Sequence, residues 1–160
     1  RIGPLVGPDA ILKVENQGKD ALQKGATLVT GGKRLTDGPL EKGYFYAPTV
    51  LTHVTSDMLI YREETFGPVA PIIAYDPEDD IIEMANDTAY GLAAYVYTKS
   101  TSRAMTAFER LKFGIIGIND INPTSAAAPF GGMKESGMGR EGAKEGINEY
   151  LETKLGGFSI

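Results

Sequence analysis

The sequence predicts an α/β fold in which βαβ units build a largely parallel sheet, with one more strand at the C-terminus. Short apolar runs at residues 69–75, 92–98 and 114–119 are typical of buried strands. Segments of helical period, about 10 to 15 residues long, lie between such runs. Strands that alternate with helices in this way pair in parallel through right-handed crossovers, so we expect helices on both faces of the sheet.

The first half of the chain predicts one helix and three strands. The helix is expected at residues 9–24, with Asp9 as its N-cap and Gly25 just beyond its end. Residues that recur at helical spacing are Ile11, Val14, Gly18, Ala21, Leu22 and Gly25. Strands are expected at residues 26–30, 46–55 and 69–75, and residues 33–45 and 58–68 are expected to be irregular.

The second half predicts three helices and three strands. One helix is expected to begin at Asp76 and Pro77, with Ile81, Ile82 and Ala85 on its inner face. Ser100 is expected to cap another, whose core face is Ala104, Ala107, Phe108 and Leu111. After the strands at 92–98 and 114–119 we expect a glycine-rich loop at 120–142, a helix at about 141–149 and a strand at about 150–159.

Composition excludes several classes of function. The net charge of −5 gives no electrostatic reason to bind nucleic acid or an anionic membrane, and no apolar run reaches the length of about 18 residues that a membrane span needs. The absence of cysteine excludes disulfides, thiolate metal sites and a cysteine nucleophile within these residues. With His53 as the only histidine, placed in a predicted strand, we expect no metal site.

The N-terminus, which begins Arg-Ile-Gly, has neither an initiator methionine nor the pattern of a signal peptide. We therefore expect a piece of a longer, cytoplasmic protein.

The segment Gly137-Met-Gly139-Arg-Glu-Gly142 matches the glycine pattern of dinucleotide-binding loops. That fingerprint works only directly after a buried strand and at the start of the helix that receives the pyrophosphate. No strand is predicted before Gly137, so we interpret these glycines as allowing a surface loop to run tightly against another part of the protein.

The most informative short motif is Glu63-Glu64-Thr65-Phe66-Gly67-Pro68, which has neither helical nor strand periodicity. A carboxylate here could accept hydrogen bonds from a ribose diol, and the ring could pack on a flat heterocycle. The alternative is a salt-bridged turn with a core phenylalanine.

A second candidate region is residues 123–132, a wide turn of small residues with one ring. Thr124 and Ser125 offer hydroxyl groups, and Phe130 could form the wall of a pocket or fill the core. Asn119 ends a predicted buried strand, where its amide needs partners and is expected to fix the turn.

Together these segments resemble the aldehyde dehydrogenase superfamily over essentially the whole chain. The matching motifs are Gly3-Pro4-Leu5, Lys24-Gly25-Ala26, Gly31-Gly32, residues 46–50, residues 63–68, residues 85–92, Gly117-Ile118-Asn119 and residues 129–137. Their order and spacing also match. The resemblance implies that the chain is the C-terminal portion of the catalytic domain at residues 1–148, followed at 149–160 by a strand that joins a neighbouring subunit.

The resemblance also implies roles for single residues. Glu64 is similar to the carboxylate that binds the hydroxyls of the nicotinamide-side ribose of NAD or NADP, and Phe66 is similar to the ring beside it. Leu92 resembles a residue at the nicotinamide end, and Phe130 resembles part of the aldehyde-binding wall. The C-terminal strand implies a homo-oligomer, either a dimer or a tetramer.

Within the superfamily, residues 139–154 are most similar to succinate-semialdehyde dehydrogenases. In that group a serine before the Pro-Phe-Gly-Gly motif helps to hold the far carboxylate of the substrate. Thr124 occupies that place here, with Ser125 beside it, which implies substrate binding by a threonine hydroxyl.

The family's cysteine nucleophile, general-base glutamate and oxyanion-binding asparagine all belong upstream of these residues. We therefore expect these 160 residues to be inactive alone, as part of an aldehyde-oxidising enzyme. Two alternatives stay open: a structural module that only folds and associates, and a free nucleotide-binding domain built on the glycine-rich loop.

Overall fold

The computed structural model describes residues 2–159, which form two compact units that divide between Asp79 and Asp80. The elements of the first unit are α1 (Pro8–Gln23), β1 (Thr27–Thr30), β2 (Thr49–Thr52), α2 (Leu59–Arg62) and β3 (Val69–Pro71). Those of the second unit are α3 (Ile81–Asn86), β4 (Tyr90–Gly91), β5 (Ala93–Val96), α4 (Thr101–Arg110), β6 (Ile115–Ile118), β7 (Met133–Lys134) and α5 (Ala143–Asn148).

Helix α1 confirms the first predicted helix and supplies much of the core of the first unit. Its buried side chains are Ile11, Val14, Gln17 and Ala21, which share one face. Gly25 follows the helix with φ of +101°, a left-handed conformation that glycine adopts without strain. The N-cap is Gly7, so the prediction of Asp9 was wrong: Asp9 lies inside the first turn, where its charge faces the positive end of the helix dipole.

The three-stranded sheet of the first unit is mixed. Strand β2 lies in the middle, antiparallel to β1 and parallel to β3. Its buried residues Thr49 and Leu51 alternate with partly exposed ones, as the sequence predicts. Residues that form the core with Leu51 are Ala21, Ala26, Val54, Met58 and Ile60.

The predicted irregular segment 58–68 contains the short helix α2, which Asp20 of α1 holds at its start. The Asp20 carboxylate accepts a hydrogen bond of 2.8 Å from the backbone N–H of Leu59. The same carboxylate pairs with Lys24 at 2.9 Å, one turn further along α1. This contact satisfies a free N–H at the start of α2, because the first N–H groups of a helix have no partner within it.

The second unit contains the βαβ unit that the sequence predicts. Strands β5 and β6 pair in parallel, from Ala93 opposite Ile115 to Val96 opposite Ile118, and α4 connects them. Ser100 caps α4 as predicted, because its side chain accepts a hydrogen bond from the N–H of Arg103. Ala107 is buried on the predicted core face, whereas Phe108 is 58% exposed.

The expectation of a largely parallel sheet was wrong. In residues 2–159 the pairs β2–β3 and β5–β6 are parallel, but β1–β2 and β4–β7 are antiparallel. The reason lies in the connections: β1 and β2 are joined by a loop with one short 3-10 helix (Gly38–Leu40) and no α-helix, and β7 comes from the long loop that the sequence pattern left unstructured. The run 69–75 was expected to be a buried strand, but residues 70–75 are exposed. The strand in this run, β3, is an edge strand of its sheet.

Helix α3 begins later than predicted. Asp80, not Asp76, is its N-cap and accepts hydrogen bonds from the N–H groups of Ile82 and Glu83. The local reason is that Asp76 already closes a turn, in which its carbonyl accepts a bond of 3.0 Å from the N–H of Asp79. Two residues expected on the inner face, Ile81 and Ala85, are exposed.

The predicted strand at 150–159 is absent. Residues 151–159 have no regular structure and are exposed. A strand is stable only when its backbone groups pair with a neighbour, and no strand of residues 2–159 pairs with this segment. Within residues 2–159, no helix combines the length and apolarity needed to cross a membrane.

The contact between Asp20 and α2 predicts a pH dependence of stability. The hydrogen bond from Leu59, and secondarily Lys24, lowers the pKa of Asp20 from its ordinary value. A lowered pKa in the folded state means that the contribution is complete above the unfolded-state pKa of about 3.9 and disappears as the pH falls through the folded-state value. We expect Asp20→Asn to lower the melting temperature at neutral pH, and we expect its difference from the wild type to shrink as the pH falls below the unfolded-state pKa of Asp20. Thermal unfolding of both proteins between neutral and acid pH checks this; a constant difference across the range would contradict it.

Candidate functional site

The loop that follows α2 presents two of the predicted site residues to solvent. Glu64 is exposed, and the ring of Phe66 is 80% exposed. Phe66 also has φ of +49°, a strained conformation for a residue with a large side chain. Phe66 is therefore not part of a core within residues 2–159.

Helix α1 holds this loop at both of its ends. At the start, the Gln17 side chain donates a hydrogen bond of 3.3 Å from Nε2 to the Glu63 carboxylate. At the end, Gly67 lies so close to α1 that an added Cβ would come within 2.6 Å of Val14 Cγ2. Since Val14 and Gln17 are three residues apart on one face of the helix, Glu64 and Phe66 project from a segment that is fixed on either side.

In the second unit, Leu92 and Phe130 line one groove with the glycine-rich loop. The groove has a volume of about 640 Å³, and its other walls include Arg140 and Tyr150. Phe130 is held through its backbone, which exchanges hydrogen bonds of 2.8 and 2.7 Å with Glu141. Phe130 is 40% exposed, so it does not fill a core within residues 2–159.

Thr124 and Phe130 line a smaller cavity of about 160 Å³, together with backbone and side chains of residues 114–116. The Thr124 hydroxyl donates a hydrogen bond of 2.9 Å to Asn122 Oδ1, which orients it within the turn. Ser125 is exposed and does not line this cavity. Thus Phe130 lines the larger groove with Leu92 and the smaller cavity with Thr124, whereas Ser125 lines neither.

The glycine pattern at 137–142 has a structural role, as predicted. Gly137, Gly139 and Gly142 all have positive φ, and a Cβ on Gly139 would lie 2.7 Å from the Glu149 carboxylate. Arg140 fixes the loop, because its guanidinium donates hydrogen bonds to the carbonyls of Gly132 at 2.8 Å and Gly139 at 2.6 Å. Arg140 thus links Gly132 and Gly139, two residues that line the groove.

Asn119 fixes the turn after β6, as expected. Its side-chain amide accepts a bond from the N–H of Thr98 and donates one to the carbonyl of Thr98, both at 2.9 Å. The amide thus continues the parallel ladder of β5 and β6 by one residue pair.

Sequence reasoning missed two residues that shape these regions, Gln17 and Arg140. Gln17 could have been noticed, because it is a polar residue on the face of α1 that the helical period assigns to the core. Nothing local distinguishes Arg140, whose partners follow from the loop's tertiary path. No group of three or more His, Cys, Asp or Glu side chains suited to a metal ion occurs in the part of the chain that the structure describes.

Comparison with known proteins agrees with this architecture. The model of the aldehyde dehydrogenase family matches residues 1–155, so the chain belongs to that family. It is 50% identical over 152 residues to the mitochondrial succinate-semialdehyde dehydrogenase of Oryza sativa subsp. japonica, an alignment that covers 95% of this chain and 28% of that protein. It is 46% identical over 158 residues to the 3-sulfolactaldehyde dehydrogenase of Pseudomonas putida, covering 97% of this chain and 32% of that protein.

A solved structure has the same fold. The crystal structure of betaine aldehyde dehydrogenase from Staphylococcus aureus in complex with NAD+ superposes with a TM-score of 0.88 at 42% sequence identity, covering 95% of this chain and 30% of that one. This chain therefore spans only about a third of the length of the relatives it matches.

Proposed function

We propose that this chain is the C-terminal part of an NAD(P)-dependent aldehyde dehydrogenase that oxidises an aldehyde, succinic semialdehyde, to the carboxylic acid. The observation that carries this proposal is the outward projection of Glu64 and Phe66 from a strained, doubly anchored loop, in a chain of this family. A backbone held in a costly conformation to expose a large ring is typical of ligand-binding sites.

The exposed carboxylate and ring fit a nicotinamide cofactor. Both oxygens of Glu64 can accept hydrogen bonds, which suits the two hydroxyls of a ribose, and Phe66 offers an apolar surface for the adjacent ring. Leu92, which is 42% exposed, would add an apolar contact at the nicotinamide end. When bound, the cofactor supplies the acceptor for the hydride that leaves the aldehyde carbon. The S. aureus relative, whose complex holds NAD+, supports this assignment.

The substrate assignment rests on the region around Phe130. Phe130 would form an apolar wall. Thr124, which shares a cavity with it, would exchange its bond to Asn122 for one to the distal carboxylate of succinic semialdehyde, to which its hydroxyl would donate. Ser125 offers a second hydroxyl beside it. The succinate-semialdehyde dehydrogenase of Oryza sativa supports this substrate, while the P. putida relative shows that the family also includes enzymes named for other aldehydes.

The chemical step needs a nucleophile that these 160 residues do not contain, because they include no cysteine. We assign the cysteine, the general-base glutamate and the oxyanion-binding asparagine to the rest of the full-length enzyme, and we expect the chain alone to be inactive. The alternative is a module that only folds and associates. We also propose a cytoplasmic location for the protein. The Oryza sativa relative is named as mitochondrial.

Association is proposed for the tail, residues 149–160. Large apolar side chains there are almost fully exposed, among them Leu155 at 97% and Phe158 at 94%. Burial of such side chains against a neighbouring subunit would stabilise an assembly. The unpaired backbone of residues 151–159 could also add a strand to that subunit's sheet. We therefore propose a homo-oligomer, a dimer or a tetramer, with residues 1–148 as the portion of the catalytic domain.

The first test is the production of NADH or NADPH by the full-length enzyme with succinic semialdehyde and a panel of simpler aldehydes. We expect turnover of succinic semialdehyde. Turnover of other aldehydes but not of succinic semialdehyde would support the dehydrogenase activity and reject succinic semialdehyde as the substrate. No turnover of any aldehyde with either cofactor would favour the module that only associates.

Glu64→Gln in the full-length enzyme is expected to slow hydride transfer by about 10-fold to 100-fold, with a smaller effect on cofactor affinity. The reason is that a carboxylate bound to both ribose hydroxyls orients the cofactor, and misplacement of reacting groups is costly. Single-turnover kinetics separate the two effects. The matched control is Glu78→Gln, an exposed carboxylate of the same unit. An unchanged rate of hydride transfer would refute the role of Glu64.

Deletion of residues 150–160 is expected to yield monomers or aggregates, because the apolar side chains of the tail would no longer link subunits. Light scattering on the full-length enzyme and on the truncated form measures the change in mass. An oligomer of normal size after the deletion would contradict the role of the tail.

A further inference from the structure

Helix α1 contains one polar side chain in the middle of its buried face. Gln17 is 0% exposed and lies among the buried residues Val14 and Ala21 of the same helix. Its Nε2 group donates to the Glu63 carboxylate at 3.3 Å. Because a carboxylate only accepts hydrogen bonds, this contact sets the orientation of the amide, with Nε2 toward Glu63.

Stability does not explain the choice of glutamine at this position. The other amide atom, Oε1, is buried and has no hydrogen-bond partner among residues 2–159. A buried acceptor without a partner is destabilising, and an unbranched apolar side chain of similar size, such as methionine, would fill the same space without that cost. The Gln17 amide therefore has an effect other than stabilising the helix.

The partner of Gln17 stands directly before the loop that carries the proposed cofactor contacts. The backbone N–H of Glu63 donates to the carbonyl of Leu59 at 2.8 Å, which closes α2, and its side chain is tied to α1 through Gln17. Glu64 follows at once, and the loop meets α1 again where Gly67 packs against Val14. Without the Gln17 contact, the loop would keep only its second anchor on α1.

We propose that Gln17 is a positioning residue for the cofactor loop: through Glu63 it fixes the exit of α2 and thereby the direction in which Glu64 and Phe66 project. This inference rests on the proposed function, since it assigns a purpose to the position of those two side chains. It adds a residue that never touches the cofactor to the set that determines the rate of hydride transfer.

The test compares Gln17→Met, Glu63→Ala and the double variant in the full-length enzyme. If Gln17 acts through Glu63, each single variant slows single-turnover hydride transfer by about tenfold or more, and the double variant is no slower than either. The melting temperature of Gln17→Met stays the same or rises. In the cofactor-free enzyme, hydrogen exchange of the amides of residues 64–66 becomes faster in both single variants.

The matched control is Gln23→Met, a glutamine-to-methionine change at an exposed position of the same helix, which should alter neither rate nor exchange. Three results would overturn the inference: an unchanged rate in Gln17→Met or in Glu63→Ala, effects that multiply in the double variant, or a melting temperature of Gln17→Met that falls together with the rate. Absence of aldehyde oxidation in the wild type would instead reject the proposed function, while the exchange measurement would still decide whether Gln17 orders the loop.

Discussion

The packing of helix α1 against the segment 63–67 is the contact on which the candidate cofactor loop depends. A Cβ added at Gly67 would lie only 2.6 Å from Val14 Cγ2, so the helix and the loop approach at this point through a residue without a side chain. The same helix reaches α2 through Asp20 and Glu63 through Gln17. One rigid element thus sets where α2 starts, where it ends and how the next residues leave it.

In the second unit, side chains that bind backbone groups, rather than the packing of a helix, hold the candidate loops in place. Its groove around Phe130 is built largely from loops, which Arg140 orders by binding the carbonyls of Gly132 and Gly139. Asn119 binds the backbone of Thr98 in a similar way at the turn after β6. Lys134 likewise donates to the carbonyl of Asn86, the last residue of α3, and to that of Thr88 just beyond it. A pocket wall made of loops needs such bonds, because loop backbone has no ladder or helix to satisfy its polar groups.

Several apolar residues that the sequence pattern assigned to a core are exposed in this chain, which spans about a third of the length of its relatives. Ile72, Tyr75 and Phe108, which the sequence pattern assigned to cores, are 49%, 55% and 58% exposed in this chain. The pattern reports how an apolar residue is placed relative to its own helix or strand. It does not report which surface covers that residue, so periodicity and burial agree only where both partners are present.

The sequence by itself determined the elements with strong local causes. The apolar period of α1, Gly25 after its end, the Ser100 cap and the βαβ unit of β5, α4 and β6 all follow from interactions within a few residues or from the short connections between elements. It also indicated the candidate residues Glu64, Phe66 and Phe130. Only the tertiary structure decided the antiparallel pairing of β1 with β2 and of β7 with β4. It also decided the start of α3 at Asp80, the exposure of Phe66 and the contact of Gln17 with Glu63. These depend on contacts between residues far apart in the chain, where backbone hydrogen bonds and packing outweigh local preference.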